Sequence, residues 1–237
     1  RSSAGTYFNA LGVMMSAASN TARFDYSPTA IGTFLGLLIE PASTNLLFQS
    51  STMPAGTWSD ASAGTTTITQ GYGTAPDGTT TAVRLQGNNA NTWWASPYSA
   101  ASPASQTRTF SAYLKANVGT PSISMNFLLN GGSNKIQSVA LNGSLLRRSV
   151  SYAFSAGDNF PLGVAFNIGN GNDLTAWGAQ LEAGSVPTSY IPTLGAQASR
   201  AADMCTFTIP AGVSSLRYVF DDDSTQTVSV TPGAYQI

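Results

Sequence analysis

The stretch Trp177-Gly178-Ala179-Gln180-Leu181-Glu182-Ala183-Gly184-Ser185-Val186-Pro187-Thr188-Ser189-Tyr190-Ile191-Pro192-Thr193 joins an alternating run to an exit of fixed geometry. Trp177, Ala179 and Leu181 are spaced two apart, which places them on one face of a β-strand, here a buried face. Gly184 ends the strand. Pro187 and Pro192 lock their own φ and hold Val186 and Ile191 in extended backbone, so the chain should leave its sheet as a stiff strap outside the ladder.

The same two-residue period runs outward in both directions. Within Thr107 to Lys115, Phe110, Ala112 and Leu114 face one way while Ser111, Tyr113 and Lys115 face the other. Ile123, Met125, Phe127 and Leu129 repeat the pattern, as do Leu162, Val164, Phe166 and Ile168. Cys205 to Ile209, Ser215 to Phe220 and Thr225 to Val230 add shorter runs, with Asp221 to Ser224 as a hairpin tip. Gly- and Asn-rich joints such as Asn130 to Asn134, Asn142-Gly143 and Gly169 to Asn172 supply the positive φ of tight connections. Val13 to Ala22 carries Ser and Asn and reads as extended. Many short strands without an amphipathic helix predict an all-β chain, one antiparallel β-sandwich of jelly-roll type. The expected division is an irregular N-terminal arm over 1–45, the sandwich over 46–195 and a C-terminal β-hairpin extension over 196–237. No repeat of fixed period is present, which disfavours a solenoid.

Composition removes whole classes of function. Only 9% of the 237 residues are charged, against about 25% in ordinary globular domains, so Ser, Thr, Asn, Gln and Gly must cover the surface. The net charge is −1 and the ten basic residues are scattered apart from Arg147-Arg148, which leaves no footprint for nucleic acid. With no histidine, the chain lacks the usual general base, the Ser-His-Asp arrangement and most transition-metal sites. Cys205 is alone and alternates with Phe207 and Ile209, so it reads as a small buried apolar residue. No apolar run approaches the roughly 20 residues of a membrane helix, so no membrane insertion is expected. The N-terminus has no signal-peptide pattern. A start at Arg1 in place of Met reads as a processed product or a piece of a longer polypeptide.

Four passages carry a resemblance. The "WGAQLE" and "PTSYIPT" words of residues 177–193, with Ser199-Arg200-Ala201-Ala202-Asp203 as "RAAD", resemble β-sandwich domains of tailed-phage tail-fibre and head-spike fibre proteins. Gly36 to Leu47 resembles that family's "GLLIE.A.TNLL", Arg23 to Tyr26 its "RFDY", and Tyr218 to Val228 its "FDDGSTQTV", with Asp223 standing where Gly is expected. The middle, about 50–170, matches in pattern more than in words. The resemblance implies a carbohydrate-binding-module-like or lectin-like fold and a non-catalytic module on the virion surface, made in the host bacterial cytoplasm. Its implied partners are host or environmental glycans, other virion proteins and further copies of the chain, typically as a homotrimer. An assembly element without glycan binding is the alternative, and a polysaccharide depolymerase the third reading.

Candidate site residues centre on Trp93-Trp94, because adjacent strand residues point to opposite faces and one core cannot hold both indoles. An exposed ring can stack on the C–H face of a pyranose while amides grip its hydroxyls. Tyr98, Asn89 and Asn91 stand close by, with Gln86 and Asn88. The competing reading makes one ring core and the other a rim or subunit-contact residue. Trp58 reads as a cover for the sandwich edge or as a second platform.

The acidic residues offer little chemistry. Asp221-Asp222-Asp223 fan outward from a turn and do not converge as a calcium shell must; a structural Ca²⁺ in a loop is open on resemblance alone. A glycosidase pair could be drawn from the acidic residues, for example Asp158 with Asp173, but nothing in the spacing selects it. Glu40 and Glu182 should be neutralised by Arg23 or Arg200. No catalytic residue, metal ligand or cofactor is assigned.

Overall fold

The computed structural model describes residues 1–61, 66–90, 92–97, 106–129, 133–155, 161–220 and 224–237. Tyr98, Asn91, Asp158 and Asp221 to Asp223 therefore lie outside the described residues. The strands in chain order are β1 (Gly5–Phe8), β2 (Met14–Ala17), β3 (Phe24–Tyr26), β4 (Phe34–Leu37), β5 (Ser43–Asn45), β6 (Ser59–Asp60), β7 (Thr66–Gly73), β8 (Ala82–Gly87), β9 (Trp93–Pro97) and β10 (Thr107–Ala116). They continue with β11 (Ser122–Leu129), β12 (Lys135–Ala140), β13 (Leu146–Ala153), β14 (Pro161–Asn167), β15 (Asp173–Ala183), β16 (Ala198–Arg200), β17 (Thr206–Ile209), β18 (Ser215–Val219), β19 (Thr225–Ser229) and β20 (Gly233–Gln236). Among the described residues there is no helix.

The chain forms two compact units, Ser43–Arg200 on one hand and Arg1–Ala42 with Ala201–Ile237 on the other. The first is an antiparallel sandwich of two five-stranded sheets, ordered β13-β10-β15-β8-β7 and β12-β11-β14-β9-β6. The chain crosses from one sheet to the other between β6 and β7, β8 and β9, β9 and β10, β10 and β11, β12 and β13, β13 and β14, and β14 and β15. The inward parities read from the sequence meet in one core: Phe110, Ala112 and Leu114 from the first sheet, Met125, Phe127, Val164 and Phe166 from the second, all fully buried. Phe110 and Phe166 bridge the sheets with ring centroids 5.2 Å apart.

β15 departs from simple alternation. Leu174 and Ala176 belong to the inner core, and so do Ala179 and Leu181, an offset that shifts the phase by one residue. The shift coincides with a register break against β10 between Ser111 and Tyr113, and Gly178 there sits at φ +64°. This is a β-bulge, which adds one residue and turns the side chains that follow to the other face. Trp177 is buried as expected, but on the outer face, tilted against Tyr113 and Tyr190 at 5.8 and 4.6 Å.

The strap covers that outer face. Gln180 accepts from the Ile191 amide at 2.7 Å and donates to Glu182 at 2.8 Å. Glu182, fully buried, accepts also from Ser43 Oγ and from the amide and hydroxyl of Thr188, at 2.6, 2.9 and 2.7 Å. Asn45 donates to the carbonyls of Ile191 and Ala179, and the Tyr190 hydroxyl meets Ser50 Oγ at 2.6 Å. Side-chain groups thus replace the ladder for a segment whose prolines keep it out of one. Arg200 is not what neutralises Glu182; among the described residues neutral donors do.

The second unit consists of the two-stranded pairs β1-β2, β3-β4, β17-β20 and β18-β19, more regular over residues 1–42 than an irregular arm. Its centre is ionic. Fully buried Arg23 pairs with Glu40 at 2.9 Å, as expected, and with Asp203, which also meets Arg1 at 3.3 Å. Its described buried apolar residues are only Met14, Ala17 and Ile209. Cys205 is half-buried and so less enclosed than expected.

Two outcomes follow from the β15 region. Gly178→Ala must hold a left-handed backbone, and its Cβ would lie 3.2 Å from the Tyr113 ring. A loss of about 1–3 kcal/mol in urea unfolding is expected, and unchanged stability would contradict the bulge. Burial raises the Tyr190 phenol above its ordinary pKa. A raised pKa means that its contribution is intact below the unfolded value of about 10 and is lost as pH climbs above it. Tyr190→Phe should flatten that alkaline limb while lowering stability at neutral pH by about 1 kcal/mol for the lost Ser50 bond.

Candidate functional site

The outer face of the sheet β12-β11-β14-β9-β6 is built by strand register. Trp93 stands opposite Asn167, Asn167 opposite Ser124, and Ser124 opposite Ser138, a single row across four strands. One step along, Ser59, Ala95, Ala165, Asn126 and Ile136 form the neighbouring row. Because a strand alternates, the residues between these face inward, and of them Met125, Phe166 and Trp94 belong to the core, Trp94 at 3% exposure. Trp93 is half-buried, Ser124 and Asn167 likewise, and Ser138 is exposed.

The two adjacent indoles therefore divide as strand geometry requires: Trp93 on the outer face, Trp94 in the core. Trp58 is fully buried, stacked on Phe166 at 5.7 Å and 7°, and its Nε1 donates to the Gln49 carbonyl at 2.7 Å. Neither Trp58 nor Trp94 presents a ring to a ligand, because both complete the apolar space between the sheets. Asn89 is exposed at a loop tip, where its amide and carbonyl bond the Thr92 hydroxyl at 3.1 and 2.7 Å. Of the residues expected at the site, the structure brings Trp93 and Asn89 to this end of the sheet.

Asn126 and Asn167 were not singled out from the sequence. The signal was present: Ser122, Ser124 and Asn126 are the polar partners of the alternation that defines β11. Asn126 is fully buried although it lies on the outer parity. The side-chain oxygens of Asn126 and Asn167 are both buried without a hydrogen-bond donor among the described residues.

The opposite sheet carries the polar chemistry of the sandwich. Arg84 grips Asp173 through Nε at 2.9 Å and through its terminal nitrogen, Asn117 donates to Asp173 at 2.7 Å, and the guanidinium lies 4.9 Å from the Tyr72 ring centroid. The Arg84 hydrogen bonds hold the Asp173 carboxyl below its ordinary pKa, the reverse of what a glycosidase general acid needs. Asp60 accepts from the Thr66 amide, Asp77 from Thr79, and Glu182 holds the strap. The described carboxylates of residues 43–200 are thus engaged in holding structure. Among the described residues, no cluster of three His, Cys, Asp or Glu could hold a metal, and no helix is long and apolar enough to cross a membrane.

No family model matches the chain, and no curated protein matches its sequence. Solved structures resemble it. The CBM22-1–GH10 modules of Clostridium thermocellum endo-1,4-β-D-xylanase 10B, complexed with xylohexaose, match 64% of this chain at 13% identity with a TM-score of 0.44. The CBM22-1 xylan-binding domain of Paenibacillus barcinonensis Xyn10C matches 61% of this chain and 94% of its own at 7% identity, with a TM-score of 0.42. The enzymatically active domain of bacteriophage CBA120 tailspike protein 4 matches 59% of this chain at 12% identity, with a TM-score of 0.43. The chain spans 30% of the xylanase structure and 21% of the tailspike structure. At such identities the likeness is one of strand arrangement alone.

Proposed function

We propose that residues 43–200 form a non-catalytic glycan-binding module, with Trp93 as its stacking platform and Asn167, Ser124 and Ser138 as the polar row beside it. The carrying observation is the register that sets a half-buried indole in line with an amide and two hydroxyls on the outer face of one sheet. A ring supplies the apolar contact a pyranose needs, and the row supplies hydrogen bonds across its hydroxyls. The phage-like words in residues 36–47 and 177–203 support placing the module on a virion surface. The engagement of the described carboxylates in loops, strap and ion pair supports binding without cleavage.

A second reading has its own support. The terminal unit buries almost no apolar side chain, yet exposes Leu11, Phe24, Ile31, Phe34, Leu35 and Leu37. Such short two-stranded pairs are marginal alone, and neighbouring copies in a closed homotrimer would cover them.

Trp93→Ala should abolish retention on a glycan array while leaving mass and melting temperature unchanged; loss of the oligomer in that variant would instead make Trp93 a subunit contact. Light scattering of the full chain should give about three times 24.5 kDa. A stable 24.5 kDa monomer at micromolar concentration would remove the trimer.

A further inference from the structure

The terminal unit carries an apolar knob at one end of its hairpins and a cavity at the other. The β1–β2 and β3–β4 hairpins lie together, tied where the Phe8 amide donates to the Asp25 carboxylate at 2.6 Å and, at their tips, where the Gly32 amide donates to the Ala10 carbonyl at 3.0 Å. Leu11 and Ile31 stand at these tips, 73% and 61% exposed. Gly12, with φ at +71°, lies against Ile31: a Cβ there would meet Ile31 Cδ1 at 2.4 Å. Neither tip, 9–13 or 27–33, contains a charged residue.

The bases of the same hairpins, where the Asn20 amide donates to the Arg1 carbonyl and the Leu38 amide to the Arg23 carbonyl, both at 2.9 Å, line a cavity of about 370 Å³ that residues 203–206 complete. The charged groups in its wall, Arg1, Arg23 and Asp203, have side chains no more than 10% exposed and are paired with one another, so they call for no ionic guest. Leu37, Ile39 and Met204 give it an accessible apolar rim, at 40%, 36% and 61% exposure. At about 3.3 Å per residue, more than about 10 Å of strand separates the tips from the bases, so a copy cannot seat its knob in its own cavity.

We propose that the Leu11–Ile31 knob of one copy seats in the cavity of the next, so that the trimer closes head to tail through its terminal units. The inference rests on the assembly reading above and adds the two surfaces that meet. A knob and a cavity at opposite ends of one unit make a heterologous contact, which forms a ring when its rotation closes. The area is sufficient: the eight large apolar side chains that residues 1–42 expose, at 36–73% each, leave on the order of 800 Å² per copy, which is what one partner contributes to a stable interface of standard size. The partner is a second copy because both complementary parts, the uncharged knob and the apolar rim, belong to the same unit.

Cys205, the chain's single cysteine, lines the cavity and makes the contact testable. The full chain carrying Leu11→Cys is treated with a short bismaleimide and run on a denaturing gel, beside the unsubstituted chain and beside Leu11→Cys combined with Cys205→Ser. The expected result is covalent products of two and three chains and none larger, absent from both controls. Leu11→Asp, at a position the fold leaves exposed, should raise the concentration at which the trimer dissociates by about tenfold or more with its melting curve intact. A trimer by light scattering without the Cys205-dependent products, a ladder running past three chains, or a trimer indifferent to Leu11→Asp would overturn the inference. An unsubstituted chain that scatters as a monomer would overturn the assembly reading together with it.

Discussion

The left-handed backbone at Gly178 is the constraint on which the sandwich unit depends. One extra residue in β15 turns Trp177 outward while Ala179 and Leu181 continue the inner core. The central strand of the first sheet is then apolar on both faces over part of its length, and its outer face must be covered. The strap does this by packing Tyr190 on Trp177 and by tying its backbone to Gln180, Glu182 and Asn45. A buried carboxylate is tolerable there because four donors converge on it, which also fixes the path of the chain from β15 towards β16.

That arrangement leaves the two sheets with different surfaces. The first carries the strap, the Arg84–Asp173 pair and the Tyr72 ring. The second has neither strap nor ion pair among its described outer residues; one row runs from Trp93 at β9 to Ser138 at β12 and the other from Ser59 at β6 to Ile136 at β12. The functional proposal belongs to the second surface for this reason. In a chain whose charged fraction is only 9%, recognition through aromatic and amide groups fits the composition better than recognition through charge.

Much of this was legible in the sequence because strand parity is a local signal. The faces of β10, β11 and β14 follow directly from alternation, and so does the opposition of Trp93 and Trp94. Alternation failed where it met a bulge: nothing local tells that Gly178 takes a positive φ, so Trp177 was read onto the same face as Ala179. Trp58 lies in a Ser- and Thr-rich stretch that looks exposed, and its burial on Phe166 depends on a partner more than a hundred residues away in sequence. The row containing Asn167 and Ser124 was hidden for the same reason, since register between distant strands is a tertiary property. The β17-β20 pair escaped notice because β20 is only four residues with a glycine at its start.

The most direct test of the account is an NMR titration that follows the four indole N–H resonances during addition of a neutral oligosaccharide mixture. Trp58, Trp94 and Trp177 are at 0%, 3% and 1% exposure, so their signals should stay in place. The Trp93 signal should move alone and saturate. Movement of the three buried indoles together, or a Trp93 signal indifferent to millimolar sugar, would contradict a glycan-binding face centred on that residue.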